Sequence, residues 1–353
     1  MPACEDVPPC ESVPPPGERW LAAMRRGDLD AAWRVSDEVL AARDPATRDD
    51  PGVPYHLRWV WDGRPVDGRH VLVRCYHGLG DTVQFCRYLP ALARRAASVT
   101  VEAQPDLIPL LRAIPGVSRW VPFRPAHPEP PAEVDLEIMD LAHALRLPPP
   151  APPYLRAPPL SASPLPASPL PGSPLPALPP RPGLCPGGPG LLVGLCWQAG
   201  GWDPARSVPL PLLRGLADVP GVRWVSLQRG PAARDALGAG SPPFLNPRDR
   251  SMDVARTAAL IAGLDLVVSV DTMVAHLAGA LGRPCWVLLK HDADWRWPLA
   301  DTAAPWYPGT RQHRQDARGG WSGPLARLRA RLARLAARDT HGSVICPAPP
   351  DRA

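Results

Sequence analysis

The chain has 353 residues, 45% hydrophobic and 21% charged, which suits two soluble domains of ordinary size, and no apolar run approaches the ~20 residues of a membrane span. The formal charge of +5 rests almost wholly on arginine; it mildly favours anionic ligands or an acidic membrane surface and equally fits arginine-rich coding. The 53 prolines, far above the usual ~5%, mark unstructured segments at both termini and over residues 148–190.

Eight cysteines (Cys4, Cys10, Cys75, Cys86, Cys185, Cys196, Cys285, Cys346) form neither a CxxC pair nor a His/Cys cluster with zinc spacing. They are expected to be buried small hydrophobes in a reducing compartment. The N-terminal run MPACEDVPPCESVPPPG lacks the basic start and apolar core of a signal peptide, so a cytoplasmic location is expected.

After this leader, residues 1–17, the segment 18–50 reads as a helical hairpin. ERWLAAMRRG closes at Gly27, and the next helix carries Leu29, Ala32, Trp33, Val39 and Leu40 at helical spacing. The hairpin resembles one tetratricopeptide unit, but a lone repeat cannot bury its own face, so it is expected to cap the following domain. Residues 68–157 then alternate strand and helix: VLVRCY, a helix at Asp81, SVTVEA, a helix in PDLIPLLRAIPG, RWVPF and DLEIMDL. Such alternation predicts a parallel sheet. The proline repeat of 158–190 is expected to be an extended tether, with a proline-recognising partner as the alternative. A second series over 191–320 runs LLVGLCW, PLPLLRGLADV, VRWVSLQ, DVARTAALIAGL, DLVVSV, TMVAHLAGAL and CWVLLK. The helix at 322–338 has leucines on one face and arginines on the other. Its leucine stripe gives a reason to dock on the core, and membrane or nucleic-acid contact is the alternative.

Two strand-to-helix junctions carry the chemistry. In G-L-G-D-T-V, residues 78–83, Asp81 sits where a strand ends and a helix begins, the place where open α/β sheets bind ligands. An ionised carboxylate there can take a proton from an attacking hydroxyl, or it can simply cap the helix. Val83 breaks the dinucleotide fingerprint, although Glu102 stands about where a ribose-binding acid would. In SVDTMVAHLAGALGRP, the helix starting near Thr272 offers N–H groups and a hydroxyl to a phosphate, and His276 lies one turn on. His276 is either a phosphate donor or a packed core histidine, and Asp271 is assigned to capping or to a ligand hydroxyl. Between the junctions, Gly200 and Gly201 permit close backbone approach, while Arg206 and Ser207 offer a cation and a hydroxyl. Asp292 and Asp294 are too few for a convincing metal site. The aromatic run Trp295, Trp297, Trp306, Tyr307 and Trp321 either shapes a sugar site or fills a core.

The ordered set GLGDTVQFCRYLP, VEAQPDLIPLLRAIPGV, GLCWQAGG with RSVPL, VSLQRG, SVDTMVAHLAGALGRPCWVLL, and DWRWPL with PWYPG resembles the bacterial ADP-heptose:lipopolysaccharide heptosyltransferases of glycosyltransferase family 9, especially the tetratricopeptide-associated branch. The resemblance spans residues 70–320. It implies a GT-B fold: two Rossmann-like domains facing across a cleft, with acceptor on the first and nucleotide-sugar donor on the second. It implies inverting, metal-independent transfer of a heptose-like sugar to a glycan, glycolipid or protein hydroxyl in cell-envelope or lipopolysaccharide assembly. It requires no cofactor beyond the donor and no nucleic acid, with peripheral contact at the inner membrane face. By position, Asp81 becomes the catalytic base. Trp197, Gly200, Arg206, Ser207, Asp271, Thr272 and His276 fall on the donor side, and Gly78, Gly80 and Gln84 on the acceptor side. Met273 stands where the family usually has glycine, and Arg206 where many members have lysine. The competing readings are a non-catalytic GT-B scaffold and a nucleotide-dependent oxidoreductase or epimerase.

Overall fold

The computed structural model describes residues 13–159, 190–235, 253–299 and 304–340. The proline tether, most of the leader and four of the cysteines lie outside them. In the N-terminal α/β unit the strands β1 (His70–Arg74), β2 (Ser98–Ala103), β3 (Arg119–Pro122) and β4 (Val134–Glu137) form a sheet of order β3-β2-β1-β4. In the second unit β5 (Leu191–Cys196), β6 (Val222–Ser226), β7 (Leu266–Val270), β8 (Cys285–Leu289) and β9 (Thr310–Arg314) form a sheet of order β6-β5-β7-β8-β9. Every pairing is parallel. Parallel strands are covered on both faces, which is why β1, β5 and β7 are nearly continuous apolar runs. The alternation in the sequence therefore built the expected two-sheet GT-B arrangement.

β9 is the strand that hydropathy does not reveal. TRQHR is polar, yet Thr310, Gln312 and His313 are buried. Arg314 at its end donates to the carbonyls of His291, Trp297 and Pro298, so the strand anchors the loop that follows β8.

The hairpin forms as expected. Helix α1 (Pro16–Arg26) ends on Gly27 in the left-handed region at φ 72°, where glycine carries no Cβ penalty. Helix α2 (Leu29–Ala42) begins with Asp28 accepting the Ala31 N–H at 3.0 Å. The hairpin touches both units. Asp37 pairs with His143 and Arg146 of the first, and Trp20 packs edge-on against Trp295 of the second.

Four short helices surround the first sheet: α3 (Leu79–Phe85), α4 (Leu89–Ala93), α5 (Ile108–Leu111) and α6 (Leu141–Leu145). The second unit adds α7 (Arg214–Ala217), α8 (Ala232–Asp235), α9 (Val254–Ala262), α10 (Met273–Ala280) and α11 (Ser322–Thr340). The α11 stripe Leu325, Leu328, Leu332 and Ala336 is buried in the core cluster of the second unit, which also takes side chains of β5, β6 and β7, as its amphipathic pattern predicts. No described helix is long and apolar enough to cross a membrane.

One apolar cluster runs continuously from Val71, Val83 and Leu89 of the first unit into Val274, Leu277 and Tyr307 of the second. Two arginines tie this boundary. Arg87 donates to the carbonyls of Trp306 (2.9 Å) and Pro150 (3.1 Å) and to the Tyr154 hydroxyl (2.9 Å). It lies against the faces of Tyr154, Tyr307 and Trp306. Arg296 crosses in the opposite direction, to Asp81 and Gln84.

Arg87→Met should lower stability by about 2 to 4 kcal/mol, because buried acceptors on both sides of the boundary lose a charged donor. Urea unfolding is expected to show a lower midpoint, and Arg87→Lys should recover little, since an ammonium cannot reproduce the guanidinium fork.

Candidate functional site

The carboxyl ends of β1 and β7 lead into α3 and α10, and these two helices meet across the unit boundary. The contact depends on Gly80. A Cβ built there would lie 2.8 Å from His276 Cδ2 and 3.6 Å from the Met273 Cα, so only glycine lets the helices approach this closely. The Met273 backbone thus lies against α3.

Asp81 does not head its helix. Gly78 is the N-cap, and Asp81 stands at the third helical position, where Oδ2 accepts the Gly78 N–H at 3.0 Å. Its Oδ1 lies 2.5 Å from Nη2 of Arg296. The side chain remains 24% exposed, so one edge of the carboxylate still faces solvent. Arg296 is nearly buried. It also donates to Gln84 Oε1 (2.6 Å) and Asp294 Oδ1 (2.9 Å) and stacks 4.6 Å from Trp295. Asp292 pairs with Arg318. Both acids of the DAD triplet are therefore spent on arginines, and among the described residues no group of three or more His, Cys, Asp or Glu clusters as metal ligands.

Several expected positions need correction. Gln84 was expected on the acceptor side of the cleft; it is fully buried, joining Arg296 and Arg87 through its side-chain and backbone oxygens. Trp197 was expected beside the donor; its indole is packed in the core of the second unit, and its backbone N–H donates to Gln228. Thr272 caps α10 by accepting the Val274 N–H at 3.2 Å, so its oxygen is engaged by its own helix. With Thr272 in that role Asp271 is not a cap. It is buried 3.9 Å from His276 Nε2, and burial next to Asp294 raises its carboxyl above the usual range. Glu102 is fully buried, accepting from Arg74 and from the Glu129 N–H. The oxidoreductase reading thereby loses its ribose-binding acid.

His276 is buried beneath Gly80, with Nδ1 3.0 Å from the Tyr307 hydroxyl. Tyr307 in turn meets the Tyr154 hydroxyl, which donates to the Val83 carbonyl of α3. Burial, with Arg296, Arg87 and Arg206 nearby, holds the imidazole well below its ordinary pKa, so it is neutral at pH 7.

The open part of the second unit is the loop after β5. Gln228 Oε1 accepts the N–H groups of Trp197 and Gln198, and the Ser207 oxygen accepts the Ala199 N–H. Gly200 is exposed with nothing beside it. Arg206 Nη1 donates to the Asp271 carbonyl at 3.1 Å, which places its charge at the start of α10. Beside it the chain's single lysine, Lys290, directly follows β8 and binds Asp203 at 2.6 Å. On the first unit His77 lies 4.0 Å from Glu137, whose carboxyl is driven well above its ordinary pKa by burial and by Asp140. Lys290, Gln228, His77, Glu137 and Arg296 are the residues that local pattern did not single out. For Lys290 a signal existed: it is the lone lysine in an arginine-rich chain, placed at a strand's carboxyl end.

The depressed pKa of His276 fixes a pH dependence. Its contribution to stability is fully present above the unfolded value near 6.5 and is lost as pH falls below that toward the folded value. The difference in melting temperature between the wild type and His276→Gln should therefore shrink as pH falls from 7 to 5; a constant difference would contradict a buried neutral ring.

Residues 251–306, which contain the second junction, match the model of glycosyltransferase family 9 (heptosyltransferase). The chain is 26% identical over 348 residues to Protein FlbA of Caulobacter vibrioides; the match covers 88% of this chain and 53% of FlbA, so the chain spans about half that relative's length. Among solved structures, the ADP-heptose LPS heptosyltransferase II of E. coli superposes with a TM-score of 0.51 at 16% identity, over 77% of this chain and 99% of that one. The glycosyl transferase family 9 protein of Veillonella parvula gives 0.50 at 11%, over 79% and 99%. The fold is therefore that of the GT-B heptosyltransferase structures, and residues 251–306 are similar to glycosyltransferase family 9.

Proposed function

We propose that the protein is an inverting glycosyltransferase that moves a heptose-like sugar from a nucleoside diphosphate to an acceptor hydroxyl without a catalytic metal, in cell-envelope glycan assembly. The reading places it in the cytoplasm with peripheral contact at the inner face of the membrane. The observation that carries it is Asp81, a carboxylate held from two sides yet open on one edge, at the strand end that faces the second unit.

The steps follow from the residues present. Arg206 and Lys290 offer two cations beside the first turn of α10, a setting suited to a diphosphate. Lys290 would exchange Asp203 for the ligand. The acceptor oxygen attacks the anomeric carbon as Asp81 takes its proton; the bond to the diphosphate breaks, and its electrons leave with the nucleoside diphosphate, whose charge the two cations stabilise. Gly78 and Arg296 keep the carboxylate in one orientation, so little reorganisation is needed at the moment of transfer. His276, neutral and covered by α3, serves the junction between units rather than a phosphate oxygen.

A second reading, a non-catalytic scaffold, is favoured by the ion pair that occupies one oxygen of Asp81 and by the cover of α3 over α10. Thermal stabilisation of the purified protein by ADP, GDP, UDP and their sugars, with nicotinamide dinucleotides alongside, separates the readings. A rise with one nucleoside diphosphate family is expected, weakened about tenfold in affinity by Arg206→Ala and by Lys290→Ala. No rise with any would favour the scaffold. In a transfer assay with the donor so identified, Asp81→Asn should lower kcat by about 10²- to 10⁴-fold with donor affinity nearly unchanged; parallel loss of both would refute the role of base.

A further inference from the structure

Beneath the hairpin lies a half-open cavity of about 340 Å³, bounded by all three bodies of the molecule. Its wall takes Trp20 from α1, Trp33 from α2, Trp61 from the segment before β1, Phe85 from α3, and Trp295 and Trp306 from the second unit. Trp20 meets Trp295 with ring centroids 5.1 Å apart, Trp295 meets Trp306 at 5.6 Å, and Phe85 meets Trp306 at 5.5 Å. The rings thus buttress one another in fixed orientations. Four polar side chains share the wall: Ser36, Arg43, Asp140 and His143.

We propose that this cavity binds a carbohydrate ring, the recognition element of the acceptor, so that the hairpin supplies an acceptor subsite; this rests on the glycosyltransferase reading. A pyranose presents a flat face of C–H groups and a rim of hydroxyls. Indole faces suit the first and the polar quartet the second. An acyl chain would cover the indoles but offer the rim of Ser36, Arg43, Asp140 and His143 nothing beyond the protein partners they already have, the Ala32 carbonyl for Ser36, the Glu137 N–H for Asp140 and Asp37 for His143, whereas sugar hydroxyls can add to them. Burial pushes the Asp140 carboxyl up to about 6, although it accepts the Glu137 N–H at 3.3 Å. The volume lies at the lower end of the range for small-molecule sites.

The cavity also adjoins the chemistry. Phe85 and Trp295, both on its wall, flank the Arg296 guanidinium at 5.9 and 4.6 Å, and that guanidinium holds Asp81. A ring seated against Trp295 therefore lies one side chain away from the base, and the hairpin has a reason to touch both α/β units at once.

The test is saturation-transfer NMR on the full chain, with methyl pyranosides and disaccharides of the common hexoses as probes and dodecanoate as the apolar control. Transfer to sugar C–H protons is expected, weaker by about tenfold in affinity in Trp20→Ala. Ser36→Phe, which fills the cavity from a different helix, should abolish it, with melting temperature confirming that each variant is folded. No transfer to any sugar, transfer untouched by both variants, or transfer to dodecanoate alone would overturn the proposal. Nucleoside-diphosphate stabilisation measured on the wild type and on the same Trp20→Ala protein separates the two readings. In the wild type, nucleotide stabilisation without sugar transfer refutes the cavity alone, and sugar transfer without nucleotide stabilisation refutes the donor reading instead; in Trp20→Ala, retained nucleotide stabilisation beside weakened sugar transfer supports the cavity.

Discussion

The arrangement of this protein hangs on a guanidinium that crosses from one α/β unit to the other. Arg296 leaves the loop after β8 and meets Asp81, Gln84 and Asp294 within hydrogen-bonding distance. A buried cation is costly unless every donor is used, and here three separate acceptors use it, two of them on α3. Its loop is held in turn by Arg314 of β9, whose donors close on three backbone carbonyls. The polar edge strand thereby has a role besides pairing with β8: its Arg314 holds the loop that carries Arg296.

Arg87 answers from the opposite side. Its partners are carbonyls, a tyrosine hydroxyl and three aromatic faces. A delocalised, weakly hydrated cation tolerates such a setting far better than an ammonium does. This chemistry gives sense to a chain that uses arginine nearly everywhere and keeps its one lysine, Lys290, at a half-exposed strand end, where a compact charge can exchange Asp203 for a ligand. With the apolar cluster continuous across the boundary, the two units form a firmer pair than linked domains usually do.

Close approach and electrostatics are coupled at α3 and α10. Gly80 admits His276 beneath it; burial there, among three arginines, keeps the ring neutral; and a neutral ring can link through Tyr307 and Tyr154 back to the α3 backbone. A side chain at position 80 would separate the helices and expose that chain of hydroxyls to water.

The sequence by itself determined the elements and the two junctions. Apolar runs at strand length located eight of the nine described strands, the Gly27–Asp28 turn located the hairpin, and the leucine stripe of α11 announced its docking face, because periodicity and turn chemistry are local properties. Asp81 and Asp271 were legible as candidates for the same reason, each sitting at a strand-to-helix junction, and Arg206 as a cation in the glycine loop between the junctions. What only the tertiary structure decided is which of these side chains meet and which stay free. Gln84 and Trp197 look like cleft residues on spacing and are buried. Thr272 is spent on its own helix, and His276 is neutral because the fold buries it and brings three arginines distant in sequence near it. Arg296 reads as part of a tryptophan-rich loop until the fold brings it to Asp81. Contacts between units depend on how two sheets dock, and no local period encodes that.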